Sequence, residues 1–154
     1  MHNHDNSRIT INLADENATI ALGKRLAAQL APGMVFYLHG DLGAGKTTLV
    51  RGILKALGHT GRVKSPTYTL LEPYQAGGFN LLHFDLYRLQ DEDEWEAAGF
   101  RDEYDGSKIF FIEWPEKAQG LLPPADVEIS LFIPDSGRNA VIQTNSAAGR
   151  QCLC

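Results

Sequence analysis

One stretch of the sequence has the residue types and spacing that suit the binding of phosphate groups. Residues 40–47 read Gly-Asp-Leu-Gly-Ala-Gly-Lys-Thr and match the pattern G-x-x-x-x-G-K-[ST]. The glycines let consecutive backbone N–H groups turn toward a phosphate, and a helix N-terminus aimed at the same point favours an anion. Lys46 would bridge the outer phosphates, and the Thr47 hydroxyl would bind Mg²⁺. The motif therefore predicts a site for a nucleoside triphosphate.

The residues on both sides of this motif have the pattern that it requires. Residues 35–39 are apolar and aromatic and predict a buried strand. After the motif, apolar residues recur at helical spacing as far as Leu57, and Gly58 stands where such a helix would end. A strand, a glycine loop and a helix in this order make the short motif a specific prediction.

Two acidic residues are candidates for the remainder of an active site. Asp85 follows the largely apolar residues 81–84 (Leu-Leu-His-Phe), and Glu113 follows the apolar residues 109–112. Ligands of open α/β sheets bind at the carboxyl ends of the strands. Phosphoryl transfer needs an acid on the magnesium ion and a group that orients the attacking oxygen. The pattern supplies two acids for these two roles without deciding which acid takes which role.

Residues 65–68, Ser-Pro-Thr-Tyr, lie between the predicted loop helix and the next strand. In many phosphate-loop enzymes a Thr in this position senses the γ-phosphate, so Thr67 is a candidate catalytic residue. The alternative is an ordinary loop that leads into a strand. Trp114, directly after Glu113, is expected to be a packing residue or a contact for a partner beside the pocket.

Helices and strands alternate along the chain. Strands are predicted at 8–13, 35–39, 68–74, 79–85, 109–113, 127–133 and 140–144. Helices are predicted after Asp15, after the glycine loop and from about Asp91. This order predicts an α/β fold, a three-layer sandwich of the P-loop NTPase type with a mainly parallel central sheet and antiparallel edge strands.

Length and composition predict one domain that spans residues 1–154, of which 44% are hydrophobic and 21% are charged. We expect flexible tails at 1–7 and 146–154, and we assign no role to Cys152 and Cys154.

No apolar run has the length of a membrane helix, and the first residues lack the features of a signal peptide. We therefore expect a cytoplasmic protein with no membrane partner.

The charges are unevenly distributed. The net charge of −5 argues against general nucleic-acid binding. The segment 51–64 is nevertheless basic, and the segment 91–105 is strongly acidic. Each segment is either solvated surface or a docking face for a partner of opposite charge.

Four motifs in this order resemble the TsaE family, the bacterial ATPases of tRNA threonylcarbamoyladenosine synthesis. They are residues 40–48, residues 65–69, residues 83–88 (His-Phe-Asp-Leu-Tyr-Arg) and residues 113–116 (Glu-Trp-Pro-Glu). The resemblance covers roughly residues 8–145. It implies that the chain uses ATP and Mg²⁺ and acts with the TsaD and TsaB proteins, reaching tRNA only through that complex. The product would be threonylcarbamoyladenosine next to the anticodon.

The resemblance also implies roles for individual residues. Thr47 and Glu113 would bind Mg²⁺, Asp85 would be the acid nearest the attacking water, and Trp114 would lie close to the site. The switch-like segment of the family maps onto residues 65–69, which include Thr67. The implied nucleotide contacts are Glu16, Asp41, Leu42, Gly43, Ala44, Gly45, Lys46, Thr47, Thr48 and Arg138.

Three other functions are compatible with a phosphate-binding loop. A small-molecule kinase would need a basic acceptor pocket, but the acidic segment 91–105 occupies the place of a lid. A docking module would bind ATP without turnover. A GTPase is disfavoured because the guanine signature Asn-Lys-x-Asp does not occur in the sequence.

Arg51 and Arg88 are candidate contacts of the γ-phosphate, but neither is clearly placed. We therefore expect slow hydrolysis that a partner accelerates, by about 10³–10⁵-fold if it supplies an arginine.

Overall fold

The secondary structure is organised around one sheet, in a computed structural model that describes residues 7–41, 43–64, 66, 68–133 and 138–152. The strands are β1 (Ser7–Leu13), β2 (Val35–His39), β3 (Leu71–Ala76), β4 (Phe79–Asp85), β5 (Lys108–Glu113), β6 (Val127–Phe132) and β7 (Arg138–Thr144). The helices are α1 (Glu16–Ala27), α2 (Lys46–Ala56), α3 (Glu92–Ala97) and α4 (Ala147–Gln151), with 3₁₀ turns at Phe100–Glu103 and Pro115–Ala118. Within the described residues, no helix is long and apolar enough to cross a membrane.

The sheet has the strand order β1-β7-β6-β2-β5-β4-β3. At its centre β6, β2, β5 and β4 run parallel, whereas β3 on one side and β7 and β1 on the other pair antiparallel. The predicted parallel centre and antiparallel edges are confirmed. The sheet as a whole is mixed, with three parallel and three antiparallel pairings.

The central strands bury side chains on both faces of the sheet. On one face Phe36 and Phe111, with ring centroids 5.0 Å apart, pack in the core beneath α1 and α2. On the other face Val35 and Phe110 belong to a second core that includes Trp95 of α3. Strands covered on both faces read as continuous apolar runs, which is why 109–112 carries no alternation. The helices accordingly lie on both sides of the sheet.

Helices α1 and α2 approach each other closely at two glycines. A Cβ atom on Gly52 would lie 2.8 Å from the carbonyl oxygen of Ile20, and one on Gly23 would lie 2.8 Å from that of Leu49. Both neighbours are backbone atoms, which cannot move aside as a flexible side chain can. The two glycines therefore set the position of α2, the helix that begins at the glycine loop.

The strand predicted from Tyr68 begins later, at Leu71. Residues 68–70 instead lie in a turn, and the N–H of Leu70 donates to the carbonyl of Pro66 at 2.8 Å. Leu70 itself has a positive φ of 67°. A residue in the left-handed region cannot continue a strand, so the ladder starts one residue further on.

Residues 146–152, which the sequence assigned to a flexible tail, include helix α4 and the buried residue Cys152. Ser146 caps α4 by accepting a hydrogen bond from the N–H of Gly149 at 3.0 Å. The thiol of Cys152 is buried in the core beneath α1, and burial raises its pKa to about 11. Residues 1–6, 134–137 and 153–154 lie outside the described residues. Ser7, which the sequence assigned to the N-terminal tail, lies in β1 and pairs with Thr144.

Candidate active site

The candidate site lies where three parallel strands end. Because β2, β5 and β4 run parallel, their carboxyl ends meet at one edge, and Glu113 stands directly opposite both Leu38 and Asp85. The loop after β2 leads at this edge into α2. His83, Asp85 and Glu113 continue the alternation of the residues that face α1 and α2, so the acids point toward the start of α2.

The glycine loop adopts a backbone that favours glycine. Gly40, Gly43 and Gly45 have φ angles of 142°, 82° and 109°, in a region that other residues rarely adopt. Gly45 occupies the N-cap position of α2 and provides no side-chain hydrogen bond to the helix. The first N–H groups of a helix lack partners within it, and an anion can supply them. Of the residues predicted in this loop, Leu42 lies outside the described residues.

Lys46, the first residue of α2, is only 4% exposed. Its ammonium group donates to the carbonyl of Gly40 at 2.5 Å and lies 4.0 Å from the ring centroid of Trp114. Burial lowers the pKa of Lys46, whereas the carboxylates nearby, led by Glu113 and Asp85, act to raise it. A partly desolvated cation over the glycine loop is suited to pair with an incoming anion.

Glu113 accepts hydrogen bonds from two sides. The Thr47 hydroxyl donates to Glu113 Oε2 at 3.4 Å, and His83 Nε2 lies 2.5 Å from the same oxygen. Thr47 and Glu113 offer two hard oxygens, which suits Mg²⁺, an ion bound through one or two protein oxygens and the phosphates of its substrate. No group of three or more His, Cys, Asp or Glu side chains arranged as metal ligands occurs in the described part of the chain.

Asp85 lies beside these groups and is 4% exposed. Its Oδ1 accepts a hydrogen bond from the N–H of Tyr87 at 3.0 Å, and its own N–H donates to Leu70 at 3.0 Å. The turn that ends at Leu70 is therefore attached to the strand end that carries Asp85. Thr67, a predicted catalytic residue, lies outside the described residues.

Glu16 and Arg138 approach α2 from other elements. A Cβ on Gly45 would lie 3.4 Å from Arg138 Nη1, so the guanidinium group adjoins the loop. The carboxylate of Glu16 lies 3.5 Å from Arg51 Nη1 of α2. The remaining predicted contacts, Asp41, Ala44 and Thr48, lie in the loop and the first turn of α2.

The sequence patterns did not reveal the roles of His83 and the backbone of Trp114. His83 interrupts an apolar strand two residues before Asp85, and this spacing on one strand face was the available signal. Trp114 has a φ of 59°, and its ring is 4.9 Å from that of Tyr87. A non-glycine residue in this conformation stores strain, which often accompanies functional sites.

The fold and the site define a mixed α/β protein whose polar side chains converge beside a glycine loop, where the parallel central strands of the sheet end. The chain belongs to the TsaE family: a family model described as "Threonylcarbamoyl adenosine biosynthesis protein TsaE" matches residues 13–140. This confirms the resemblance drawn from the four motifs. Members of the family are named for tRNA threonylcarbamoyladenosine biosynthesis.

Individual relatives agree with this assignment. The "tRNA threonylcarbamoyladenosine biosynthesis protein TsaE" of Haemophilus influenzae is 46% identical over 144 residues, which cover 89% of this chain and 91% of the relative. The protein of that name from Bacillus subtilis is 40% identical over 111 residues, covering 72% and 69%. The crystal structure of Bacillus subtilis YdiB superimposes with a TM-score of 0.79 at 28% identity, covering 98% of this chain and 95% of YdiB.

Proposed function

We propose that the chain is the Mg²⁺-dependent ATPase of the machinery that forms threonylcarbamoyladenosine next to the anticodon of tRNA. It would act in the cytoplasm, as a component that works with the TsaD and TsaB proteins. Contact with tRNA would occur through that complex. Family membership supports the process, and the chemistry of the site supports the reaction.

The observation that carries the proposal is the convergence of a cation, a hydroxyl and two carboxylates at the start of α2. Lys46 adjoins the glycine loop, and Thr47 shares a hydrogen bond with Glu113. Asp85 stands next to Glu113 in the register of β4 and β5. These are the groups that phosphoryl transfer requires, brought together by three strand ends and one helix.

Each group then has a role in ATP hydrolysis. Lys46 and the N–H groups of the loop would hold the β- and γ-phosphates. Thr47 and Glu113 would bind Mg²⁺, which supplies charge neutralisation of the phosphates when bound. Asp85 would orient the attacking water by accepting its hydrogen bond.

Both candidate arginines have partners elsewhere. Arg51 lies in an ion pair with Glu16, and Arg88 stacks on the ring of Tyr68 at 4.4 Å from its centroid. Neither arginine is therefore committed to the γ-phosphate. This supports slow hydrolysis by the isolated chain and activation by a partner, as expected from the sequence.

The proposal is tested by ATP binding and turnover in three variants. Asp85→Asn should keep ATP binding and lose most turnover, because a neutral amide attracts the hydrogen of the water less strongly than a carboxylate and offers a donor NH₂ group where the carboxylate only accepts. Glu113→Gln should weaken the response to Mg²⁺. Asp102→Asn, in the exposed acidic segment, is the matched control and should behave as the unsubstituted chain. Binding without turnover, even with TsaD and TsaB present, would instead favour a docking module.

A further inference from the structure

His83 and Glu113 form a buried pair that the proposed reaction does not use directly. The side chain of His83 is 1% exposed and that of Glu113 is 4% exposed, and His83 Nε2 lies 2.5 Å from Glu113 Oε2. An ionised carboxylate that is buried away from water needs hydrogen-bond donors to take the place of the water molecules it loses. Thr47 reaches the same oxygen only at 3.4 Å, so His83 is the principal donor to this carboxylate among the described residues.

The sheet fixes this pair in place. His83 lies opposite Phe111 in the parallel register of β4 and β5, so its side chain stands one strand away from Glu113 and on the same face. Both strands are in the centre of the sheet, where neighbours on two sides restrain them. The imidazole therefore holds the carboxylate from a rigid element, which favours a precise geometry for a bound ion.

A packing role alone does not account for a histidine here. When His83 donates from Nε2, its Nδ1 carries a lone pair and can only accept a hydrogen bond. Nδ1 is buried without a hydrogen-bond partner in the described part of the chain. A buried unsatisfied acceptor lowers stability, and an apolar side chain of similar size would avoid this cost. Leu81, two residues earlier on the same face of the strand, is buried and apolar, so this face accepts an apolar side chain.

We propose that His83 is the positioning residue of the metal site: it fixes Glu113 in the orientation in which the carboxylate and Thr47 bind Mg²⁺. This inference rests on the proposed function, because it needs Mg²⁺ at Thr47 and Glu113. Hydrogen-bonded partners of metal ligands orient those ligands, and their loss typically costs 10–100-fold in metal affinity. His83 itself touches neither the ion nor the substrate.

The test is the affinity of the ADP-bound protein for Mn²⁺, measured by the electron paramagnetic resonance of the free ion. His83→Leu should weaken Mn²⁺ binding by about 10–100-fold, while ADP binding in the presence of a chelator stays unchanged. His83→Gln should restore most of the affinity, because its amide donates from nearly the same point as Nε2. Leu81→Ala, a destabilising change on the same strand face, should leave Mn²⁺ affinity unaltered.

Three results would overturn the inference: wild-type Mn²⁺ affinity in His83→Leu, an equal loss in His83→Gln, or an equal loss in Leu81→Ala. Failure of the unsubstituted protein to bind Mn²⁺ with ADP would overturn the proposed function as well. If His83→Leu does not fold, imidazole NMR of the unsubstituted protein decides. The Nε2 hydrogen resonance should move when Mg²⁺ is added to the ADP complex, and a stationary resonance would contradict the inference.

Discussion

At the scale of single residues, the site depends on charges that are kept largely out of water. The ammonium group of Lys46 rests on the carbonyl of Gly40 and the face of Trp114, and burial lowers its pKa. Lysine is rarely buried unless it is paired. Here the paired groups are weak neutral ones, while the opposing carboxylates Glu113 and Asp85 stand nearby. A phosphate would give this cation the strong partner that these contacts do not provide.

Removal of the Lys46 ammonium should therefore affect ATP binding far more than folding. Lys46→Ala should weaken ATP binding by about 10–100-fold, the loss expected for a hydrogen bond to a charged group. Lys55→Ala changes the same residue type at an exposed position of α2 and is the control. Isothermal titration calorimetry of both variants measures the difference; equal affinities would contradict the assigned role.

At the scale of elements, the position of the site depends on how α2 is held. The helix runs from the glycine loop and is packed against α1 through Gly23 and Gly52. The approach is closer than any side chain at these positions permits. A shift of α2 would move Lys46 and Thr47, its first two residues, relative to the strand ends.

Gly52→Ala should accordingly destabilise the protein, although alanine is the better helix former. A Cβ at 2.8 Å from the Ile20 carbonyl oxygen requires a backbone shift, and such overpacking costs about 1–3 kcal/mol. Chemical denaturation measures this loss in the free energy of unfolding, with the exposed substitution Lys55→Ala as the control. A more stable Gly52→Ala protein would show that the helices separate without cost.

Helix α4 provides a second test at this scale, through the thiol of Cys152. Burial raises its pKa from 9.0 to about 11. The unfolded chain loses this proton first as pH rises, so the stabilisation by the protonated thiol is complete below pH 9 and is lost between pH 9 and about 11. This difference between the folded and unfolded pKa of Cys152 corresponds to at most about 3 kcal/mol of folding stability.

The stability advantage of the unsubstituted protein over Cys152→Ala should therefore shrink over that alkaline range. Urea unfolding of both proteins in reducing buffer, at several pH values from 8 to 11, measures the difference. Other groups that titrate in this range affect both proteins alike and cancel. A constant difference would mean that the thiol is not buried as described.

The sequence predicted the elements better than their ends and contacts. The glycine loop, β2, β4, the N-cap at Asp15 and both strand-end acids were predicted because period, turn residues and caps are local signals. The turn at Leu70 and the packing of α4 were missed, because each depends on contacts with distant parts of the chain. The pairing of His83 with Glu113 likewise follows from strand register, which no local pattern in this chain encodes.

At the scale of the whole molecule, basic and acidic residues are segregated within a chain of net charge −5. One open groove of about 710 Å³, formed by the last turns of α2 and the loop that follows it, is lined by four basic residues, Arg51, Lys55, His59 and Arg62. The acidic residues of 91–105 lie on and around α3. Arg51 and Arg88 are engaged by Glu16 and Tyr68, so neither of these two arginines is committed to the γ-phosphate. The proposed ATPase is thus one that a partner completes.

The rate of phosphate release from ATP tests this account most directly. It should be measured for the chain alone, with TsaD, with TsaB and with both together, in parallel with Asp85→Asn. The account predicts slow release by the chain alone and faster release with both partners, by about 10³–10⁵-fold if a partner supplies an arginine. The Asp85→Asn variant should show no such rise. Fast release by the isolated chain that partners leave unchanged, or no release under any condition, would contradict it.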